Sequence, residues 1–507
     1  MKKSARGCIL DLIGLVVSLV LIQWEAMETY AYAAASVQMD LVYRYADDMG
    51  KVSDWRTMTM EQHDKLMRRD QLRHEARRRG LLAMSLSPSN ETADLEILGG
   101  LHYAIVMIGT PSKTFLVALD TGSDLLWVPC DCQQCSPTNW ASYGVQTQGL
   151  EFAVYGTSSS STSKNLSCTN SLCSSSVASP SSACSSNTQA CEYTIKYMSS
   201  DTSTSGFIVQ DVLHLNYEAP ESGNTTASIY FGCAQLQTGD LLQGVAPNGL
   251  FGLGPEDISV PSTLARNGVI STNSFSMCFS SGDSSGRLVF GVEALSGIPS
   301  TPLVPINPSV YYVIATTKFS VHGNSVDASE NLIFDTGTSY TTLPPSTYQS
   351  LGEMMNNQIN APQFQLNGTF DYCWNTSDSS ILDSLPTLTI TFNGGSSWDV
   401  SDPYVRFVDS KGNVVFFCLG ITPSSTGIIG HNFMGGYEFF FNQQAMSFSW
   451  APSTCYTLNS STIGSPQDAP NFVTRASIQN SSVALKAPLS ISSLFITYLL
   501  IAFIGLL

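Results

Sequence analysis

The sequence predicts an all-β protein of two related lobes, and three observations carry that prediction. Short apolar runs are broken by turn residues, an Asp-Thr-Gly motif occurs twice, and an apolar pair closed by glycine follows each copy. From about Leu95 the chain reads as runs such as Leu101-His-Tyr-Ala-Ile-Val-Met-Ile108, followed by Gly109-Thr-Pro111. Continuous or alternating β-branched and aromatic runs bounded by turn residues are strand signals. At 507 residues the chain exceeds the size at which a single core stops growing, so more than one lobe is expected.

The doubling is specific. Phe115-Leu-Val-Ala-Leu-Asp120-Thr-Gly-Ser123-Asp-Leu-Leu-Trp127 has a counterpart in Asn331-Leu-Ile-Phe-Asp335-Thr-Gly-Thr338-Ser-Tyr-Thr-Thr-Leu343. Gly249-Leu-Phe-Gly-Leu-Gly254 likewise parallels Gly427-Ile-Ile-Gly430. In each copy the strand holds the Asp at its end, Gly122 or Gly337 permits a sharp turn, and the hydroxyl of Thr121 or Thr336 can bond backbone of the opposite loop. Two such loops face to face put carboxylates about 3 Å apart, where both cannot ionise and one proton is shared. The ionised member then takes a proton from water while the protonated one polarises a peptide carbonyl. The parts of other hydrolases are missing: there is no Gly-x-Ser-x-Gly, no His-Glu-x-x-His, and no His beside a nucleophile motif. No cofactor or metal is called for.

The ends and the cysteines indicate secretion. Lys2, Lys3 and Arg6 precede the apolar stretch Ile13 to Ile22 and the small residues Ala31 to Ala35, the order of a signal peptide cleaved after Ala33 or Ala35. Cys8 lies in that signal, leaving 12 of the 13 cysteines for disulfides. Seven fall between Cys130 and Cys191, so full oxidation requires at least one bridge outward to Cys233, Cys278, Cys373, Cys418 or Cys455. A zinc reading of Cys130-x-Cys132-x-x-Cys135 is disfavoured, since no His lies nearby and secreted thiols pair. Residues 136–190, rich in Ser, read as a disulfide-tied surface excursion too polar for a packed core. Glycosylation sequons begin at Asn90, Asn165, Asn224, Asn367, Asn375, Asn459 and Asn480.

Charge is uneven. Thirteen of 23 Lys and Arg lie in residues 1–80, including Arg68, Arg69, Arg73, Arg77, Arg78 and Arg79, whereas residues 81–507 hold 10 basic and 29 acidic side chains, a balance of −19. That pattern fits a propeptide docked by charge and released when carboxylates protonate. It excludes nucleic acid as a partner, because the basic run lacks interleaved aromatics and precedes an acidic body. At the other end, Asn480, Ser481 and Ser482 are followed by a moderately polar spacer and the apolar tail Leu494 to Leu507, the order of a glycosylphosphatidylinositol (GPI) attachment signal. A transmembrane span is the alternative, with about 20 apolar residues needed.

These residues resemble the pepsin-like aspartic proteases, themselves the established instance of the shared-proton carboxylate pair, over roughly Leu95 to Cys455. The cysteine-rich insertion after the first motif and the tail are similar to the plant nepenthesin-like group and its GPI-anchored members. The resemblance implies a bilobal pepsin-like aspartic protease fold with a central cleft and a flap from the first lobe. It makes Asp120 and Asp335 the catalytic pair, with Ser123 and Thr338 bonding their outer oxygens. Tyr103 matches the strand that opens the first lobe, and Gly206 matches a glycine on the strand returning from the flap. Trp127 matches the tryptophan that bonds the flap tyrosine, for which Tyr197 is the candidate and Tyr193 the rival, and Met198 stands where the family has Gly. Cys373–Cys418 matches the second-lobe disulfide, and Cys233–Cys455 is a further expected bridge.

The implied division is a signal peptide at 1–35, a propeptide at 36–95, a first lobe at 96–300 with the insertion 130–191, and a second lobe at 301–458. A Ser/Asn-rich stalk at 459–482 and an attachment signal at 483–507 complete it. The expected activity is acid endopeptidase action on proteins or peptides, by a monomer on the outer face of the plasma membrane. A non-catalytic binding protein on the same fold and a structural surface glycoprotein are the competing readings. Both motifs are intact, which favours catalysis.

Overall fold

The computed structural model describes residues 37–43, 46–47, 51–52 and 57–58 of the leader, then 102–138 and 152–453. Within the last stretch, 176–177, 179–183, 198–201, 218–223, 244–245, 280–284, 295, 307–310, 367–369, 377–378 and 410–412 are not described. Strands dominate, as the runs predict. The described α-helices are Val260–Arg266 and Pro345–Asn356, each opened by a proline in its first turn, where the missing N–H costs nothing.

The repeated sequence becomes repeated topology. In the first half, Leu250–Gly252 runs parallel to Lys113–Asp120 and antiparallel to Leu126–Gln134. In the second half, Gly427–Ile429 runs parallel to Asn331–Phe334 and antiparallel to Thr341–Leu343. Each Asp therefore leaves the end of a strand whose neighbour is the glycine-closed apolar pair. The first set belongs to a 14-stranded sheet and the second to an 8-stranded one, and a 5-stranded sheet joins four strands of the second half to Thr57–Met58 of the leader.

The strands Tyr437–Asn442 and Ser447–Pro452 return to the large sheet, where Tyr437–Asn442 pairs with Ser274–Phe279. This return fills the space beneath the second motif. Phe334, the residue before Asp335, has ring contacts at 4.9 Å to Phe439, 5.4 Å to Phe441 and 4.8 Å to Phe448. Phe275 stacks on Phe441 at 4.6 Å. Such aromatic pairs add about 0.5–1.5 kcal/mol each beyond the area they bury, so both halves rest on one shared aromatic layer.

Part of the leader is built into the large sheet. Val37–Tyr43 pairs with Ser285–Phe290 over six positions, from Val37 opposite Phe290 to Val42 opposite Ser285. It also pairs with His102–Ile108, placing Tyr43 opposite His102. The described link to the body is thus a backbone ladder, in addition to whatever charge supplies; the arginines at 68–79 lie outside the described residues.

The insertion departs from expectation. Leu166, Cys168, Cys173 and Cys191 are buried in one cluster with Tyr103, Ala118 and Trp127, so the segment is part of a core and not only a surface excursion. Disulfides substitute for apolar area here: Cys168–Cys184 and Cys173–Cys191 close its loops. The segment is also pinned by Asp211, which accepts from Tyr155 Oη and, at 2.5 Å, from Thr162 Oγ1.

Of the seven cysteines between 130 and 191, Cys130 is the one that bridges outward. Its partner is Cys233, which corrects the expected Cys233–Cys455 bridge: the parallel register of Cys233 with Val128 lays Cys233 beside the strand that carries Cys130. Cys132 pairs with Cys135, Cys373 pairs with Cys418 as expected, and Cys278 is also disulfide-bonded. The sequons at Asn165 and Asn375 fall on exposed residues. Those at Asn90, Asn367, Asn459 and Asn480, like Ser481 and Ser482, lie outside the described residues, and Asn224 is described in its backbone only.

Candidate active site

Two strand ends build the site. Asp120 closes Lys113–Asp120 and Asp335 follows Asn331–Phe334, and the two side chains are 1% and 0% exposed. Their environments match atom for atom. Asp120 Oδ1 accepts the Gly122 N–H at 3.0 Å and Oδ2 accepts the Ser123 hydroxyl at 2.7 Å. Asp335 Oδ1 accepts the Gly337 N–H at 2.8 Å and Oδ2 accepts the Thr338 hydroxyl at 2.8 Å. Each carboxylate thus has one oxygen held by a turn amide and the other by a hydroxyl.

The loops are locked to one another through their threonines. The Thr121 N–H donates to Thr336 Oγ1 at 3.1 Å and the Thr336 N–H to Thr121 Oγ1 at 3.0 Å. Each hydroxyl then donates onward across the junction, Thr121 to the Phe334 carbonyl at 2.8 Å and Thr336 to the Leu119 carbonyl at 3.2 Å. Gly122 shows how close the approach is: a Cβ there would stand 2.7 Å from Asp335 Oδ1. Only glycine fits.

Around this junction each half adds backbone bonds from its glycine-closed segment. Leu253 N–H donates to the Asp120 carbonyl at 2.9 Å and Gly254 N–H to the Ser123 carbonyl at 2.8 Å. Opposite, Asp335 N–H donates to the Ile429 carbonyl at 3.1 Å and His431 N–H to the Thr338 carbonyl at 2.7 Å.

Trp127 and Tyr197 are brought together, with Trp127 Nε1 donating to Tyr197 Oη at 2.6 Å. Tyr193 lies elsewhere: it is buried, its hydroxyl is 3.1 Å from Thr204 Oγ1, and its ring lies where a Cβ on Gly232 would fall. The segment from Met198 to Asp201 is outside the described residues. Gly206 sits at a bulge, and a Cβ there would stand 1.9 Å from the Cys233 carbonyl oxygen. Cys130, Asp131 and Cys233 cluster within 4.8 Å, but the two sulfurs are joined to each other, which leaves no thiolate pair for a metal.

Sequence reasoning missed Asp124. It is 3% exposed, its Oδ1 accepts the Glu256 N–H at 2.8 Å, and a Cβ on Gly254 would stand 2.4 Å from that oxygen. Burial pushes its carboxyl up to about 8; the Glu256 N–H pulls the other way, and the charges of Glu256 and Asp120 add to the rise. The buried pair His102 and His431 was missed as well. Neither has a local signal: a carboxyl after Ser123 reads as a turn residue, and the histidines stand 329 positions apart.

Two lobes built on repeated strand-turn units, with paired carboxylates at their junction, define the pepsin-like aspartic proteinase class. The chain matches the domain family described as Xylanase inhibitor N-terminal over residues 102–292 and the one described as Xylanase inhibitor C-terminal over 311–452. It is 40% identical over 402 residues to Aspartyl protease family protein 1 of Arabidopsis thaliana, covering 78% of this chain and 75% of that protein. It is 27% identical over 433 residues to aspartic proteinase nepenthesin-2 of Nepenthes gracilis, covering 80% and 89%. Its fold is similar to that of basic 7S globulin from soybean, with a TM-score of 0.54, 20% identity and coverage of 70% and 92%. The chain belongs to the nepenthesin-like plant aspartyl protease family and is an aspartic-type endopeptidase.

Proposed function

We propose that Asp120 and Asp335 share one proton and hydrolyse peptide bonds by activating a water at acidic pH. The observation that carries this reading is the reciprocal bonding of Thr121 and Thr336, which joins the two loops so that both carboxylates meet the same junction. The ionised carboxylate takes a proton from the water as it attacks the carbonyl carbon. The protonated one donates toward the carbonyl oxygen, and collapse of the tetrahedral species passes a proton to the leaving amine. No metal or cofactor enters this scheme, and its substrates are proteins or peptides.

The proposal extends to biogenesis. The chain is made with a signal peptide and a propeptide, glycosylated at sites that include exposed Asn165 and Asn375, and held as a monomer on the outer plasma-membrane face by a GPI anchor. The disulfides support an oxidising compartment.

Asp120→Asn and Asp335→Asn, each made singly, should abolish pepstatin-sensitive proteolysis at about pH 3–5, the acid range of such pairs. Activity surviving in both would overturn the assignment. A second reading, a non-catalytic binding protein, draws on the inhibitor names of the matched domain families. It requires the unmodified chain to be inactive in that same assay. Release from membranes by phosphatidylinositol-specific phospholipase C tests the anchor, and retention on an accessible, unmodified lipid favours a transmembrane tail.

A further inference from the structure

The motif Cys130-x-Cys132-x-x-Cys135 contains a bridge that the chemistry above does not use. We propose that Cys132–Cys135 is a thiol–disulfide exchange site, opened by dithiol reductants, and that its state controls how firmly the base of the flap is held.

Access singles it out. Among the described disulfides, Cys132 is the exposed cysteine, on a stretch from Asp131 to Gln134 that is exposed throughout. Cys130, Cys233, Cys373 and Cys418 are fully buried, Cys168, Cys173 and Cys191 are buried too, and Cys184 is half-buried. A reductant's thiolate must reach a sulfur directly, so exchange is site-selective by exposure.

The bridge also differs in what it can stabilise. It joins residues three apart, whereas Cys130–Cys233 spans 103 and Cys373–Cys418 spans 45. Closing so short a loop takes little entropy from the unfolded chain. Its effect is therefore local, and the local contacts run toward the flap. Cys135 Sγ lies 3.4 Å from the Ala234 carbonyl, Gln134 Nε2 donates to the Gln237 carbonyl at 3.2 Å, and Ser136 N–H donates to Gln237 Oε1 at 2.7 Å. Gln237 is fully buried and stands opposite Thr204 in the ladder. Beyond it, Thr238 N–H donates to the Ser203 carbonyl at 2.9 Å and Asp240 N–H to Thr202 Oγ1 at 3.0 Å. Tyr197 N–H donates to the Thr202 carbonyl at 2.8 Å, and Tyr197 Oη receives Trp127. The exposed disulfide is thus two hydrogen-bonded strands away from the tyrosine that faces Trp127.

A thiolate of the dithiol attacks Cys132 Sγ, the Sγ–Sγ bond breaks, and Cys135 leaves as a thiolate that takes a proton. The second thiol of the reductant displaces Cys132 from the mixed disulfide. Two electrons and two protons pass to the protein, and the dithiol leaves as its own disulfide.

The experiment exposes the folded chain to graded dithiothreitol at pH 7, traps thiols with iodoacetamide and maps them by mass spectrometry. Cys132 and Cys135 should be alkylated at a dithiothreitol concentration at least tenfold below that which opens Cys130–Cys233; equal or later labelling overturns the exchange site. Hydrogen exchange on the same samples should speed up at Tyr197 and Thr238 on reduction, and unchanged rates overturn the link to the flap. Neither readout needs activity. The kinetic arm rests on the endopeptidase reading: Cys132→Ser/Cys135→Ser should raise KM at least threefold and abolish the response to dithiothreitol, and a wild-type KM counts against the link. An inactive parent chain would instead overturn the endopeptidase reading and leave the labelling and exchange results to decide this one.

Discussion

His102 and His431 meet across the chain with Nδ1 and Nε2 2.7 Å apart and both rings buried. One ring stands on the strand next to the leader, opposite Tyr43, and the other donates its backbone N–H to Thr338, whose hydroxyl holds Asp335. Phe279 packs its ring at 4.9 Å from His102 and 5.3 Å from His431, which closes the pair from water. His431→Ala removes this bond and leaves a buried imidazole nitrogen short of its partner, a loss of about 1–3 kcal/mol. Denaturant unfolding of H431A, H102A and the double variant should show the second substitution costing less than the first. Strictly additive losses would mean that the rings do not depend on each other.

Asp124 gives stability a slope with pH. Its folded carboxyl is raised from 3.8 to about 8, chiefly by burial, so between those values the folded chain holds a proton that the unfolded chain has released. Stability from this group is fully present below about pH 4 and falls as pH rises toward 8, by about 1.4 kcal/mol per unit. Asp124→Asn keeps an acceptor for the Glu256 N–H and has nothing to ionise. Thermal midpoints at pH 4, 6 and 8 should fall in the parent and fall less in D124N; parallel curves would remove Asp124 from the account. Asp211 acts in the other direction. Burial raises its carboxyl, but Thr162, Tyr155, Ser160 and the Val212 N–H together lower it below 3.8, so its contribution is lost only in acid.

Thr121→Val keeps the volume of the side chain and deletes its hydroxyl. The Thr336 N–H loses its acceptor and the Phe334 carbonyl its donor, both inside the junction. With about 1–3 kcal/mol per buried group left unpaired, destabilisation should reach at least about 2 kcal/mol. Thr121→Ser should recover most of it. Urea midpoints report the difference, and equal stability of T121V and T121S would show that the methyl group, not the hydroxyl exchange, sets the junction.

The repeated motifs were readable because the physics that places them is local: an apolar strand, an Asp at its end, a glycine where a Cβ would strike Asp335. The glycine-closed pairs were equally legible, and both lie parallel to the strands that carry the carboxylates. What was hidden depends on partners far apart in sequence. Cys130 could be known to need an outside partner from the odd count of seven, yet choosing Cys233 required the parallel register beside Val128. Leu166 and Cys173 read as part of a polar excursion because Ser dominates around them, and only packing against Tyr103 and Trp127 makes them core. Asp124 followed the motif in plain view, but its burial is imposed by the loop at Gly254 and Glu256.

Trp127 and Tyr197 give the last prediction, because the sequence left two tyrosines in contention and their surroundings now differ. Trp127 is fully buried and its Nε1–H ends on Tyr197 Oη at 2.6 Å. Tyr197→Phe strands that donor, and the penalty of about 1–3 kcal/mol falls on the arrangement in which flap and Trp127 are engaged. If substrate is bound in that arrangement, kcat/KM should drop roughly tenfold, since 1.4 kcal/mol is a factor of ten. Tyr193→Phe supplies the contrast. Its hydroxyl bonds Thr204 inside the sheet, so the variant should lose about 1 kcal/mol of stability and keep its kcat/KM. The reverse pattern, activity lost in Y193F and retained in Y197F, would make Tyr193 the residue that works with the flap and leave the Trp127 bond a packing contact.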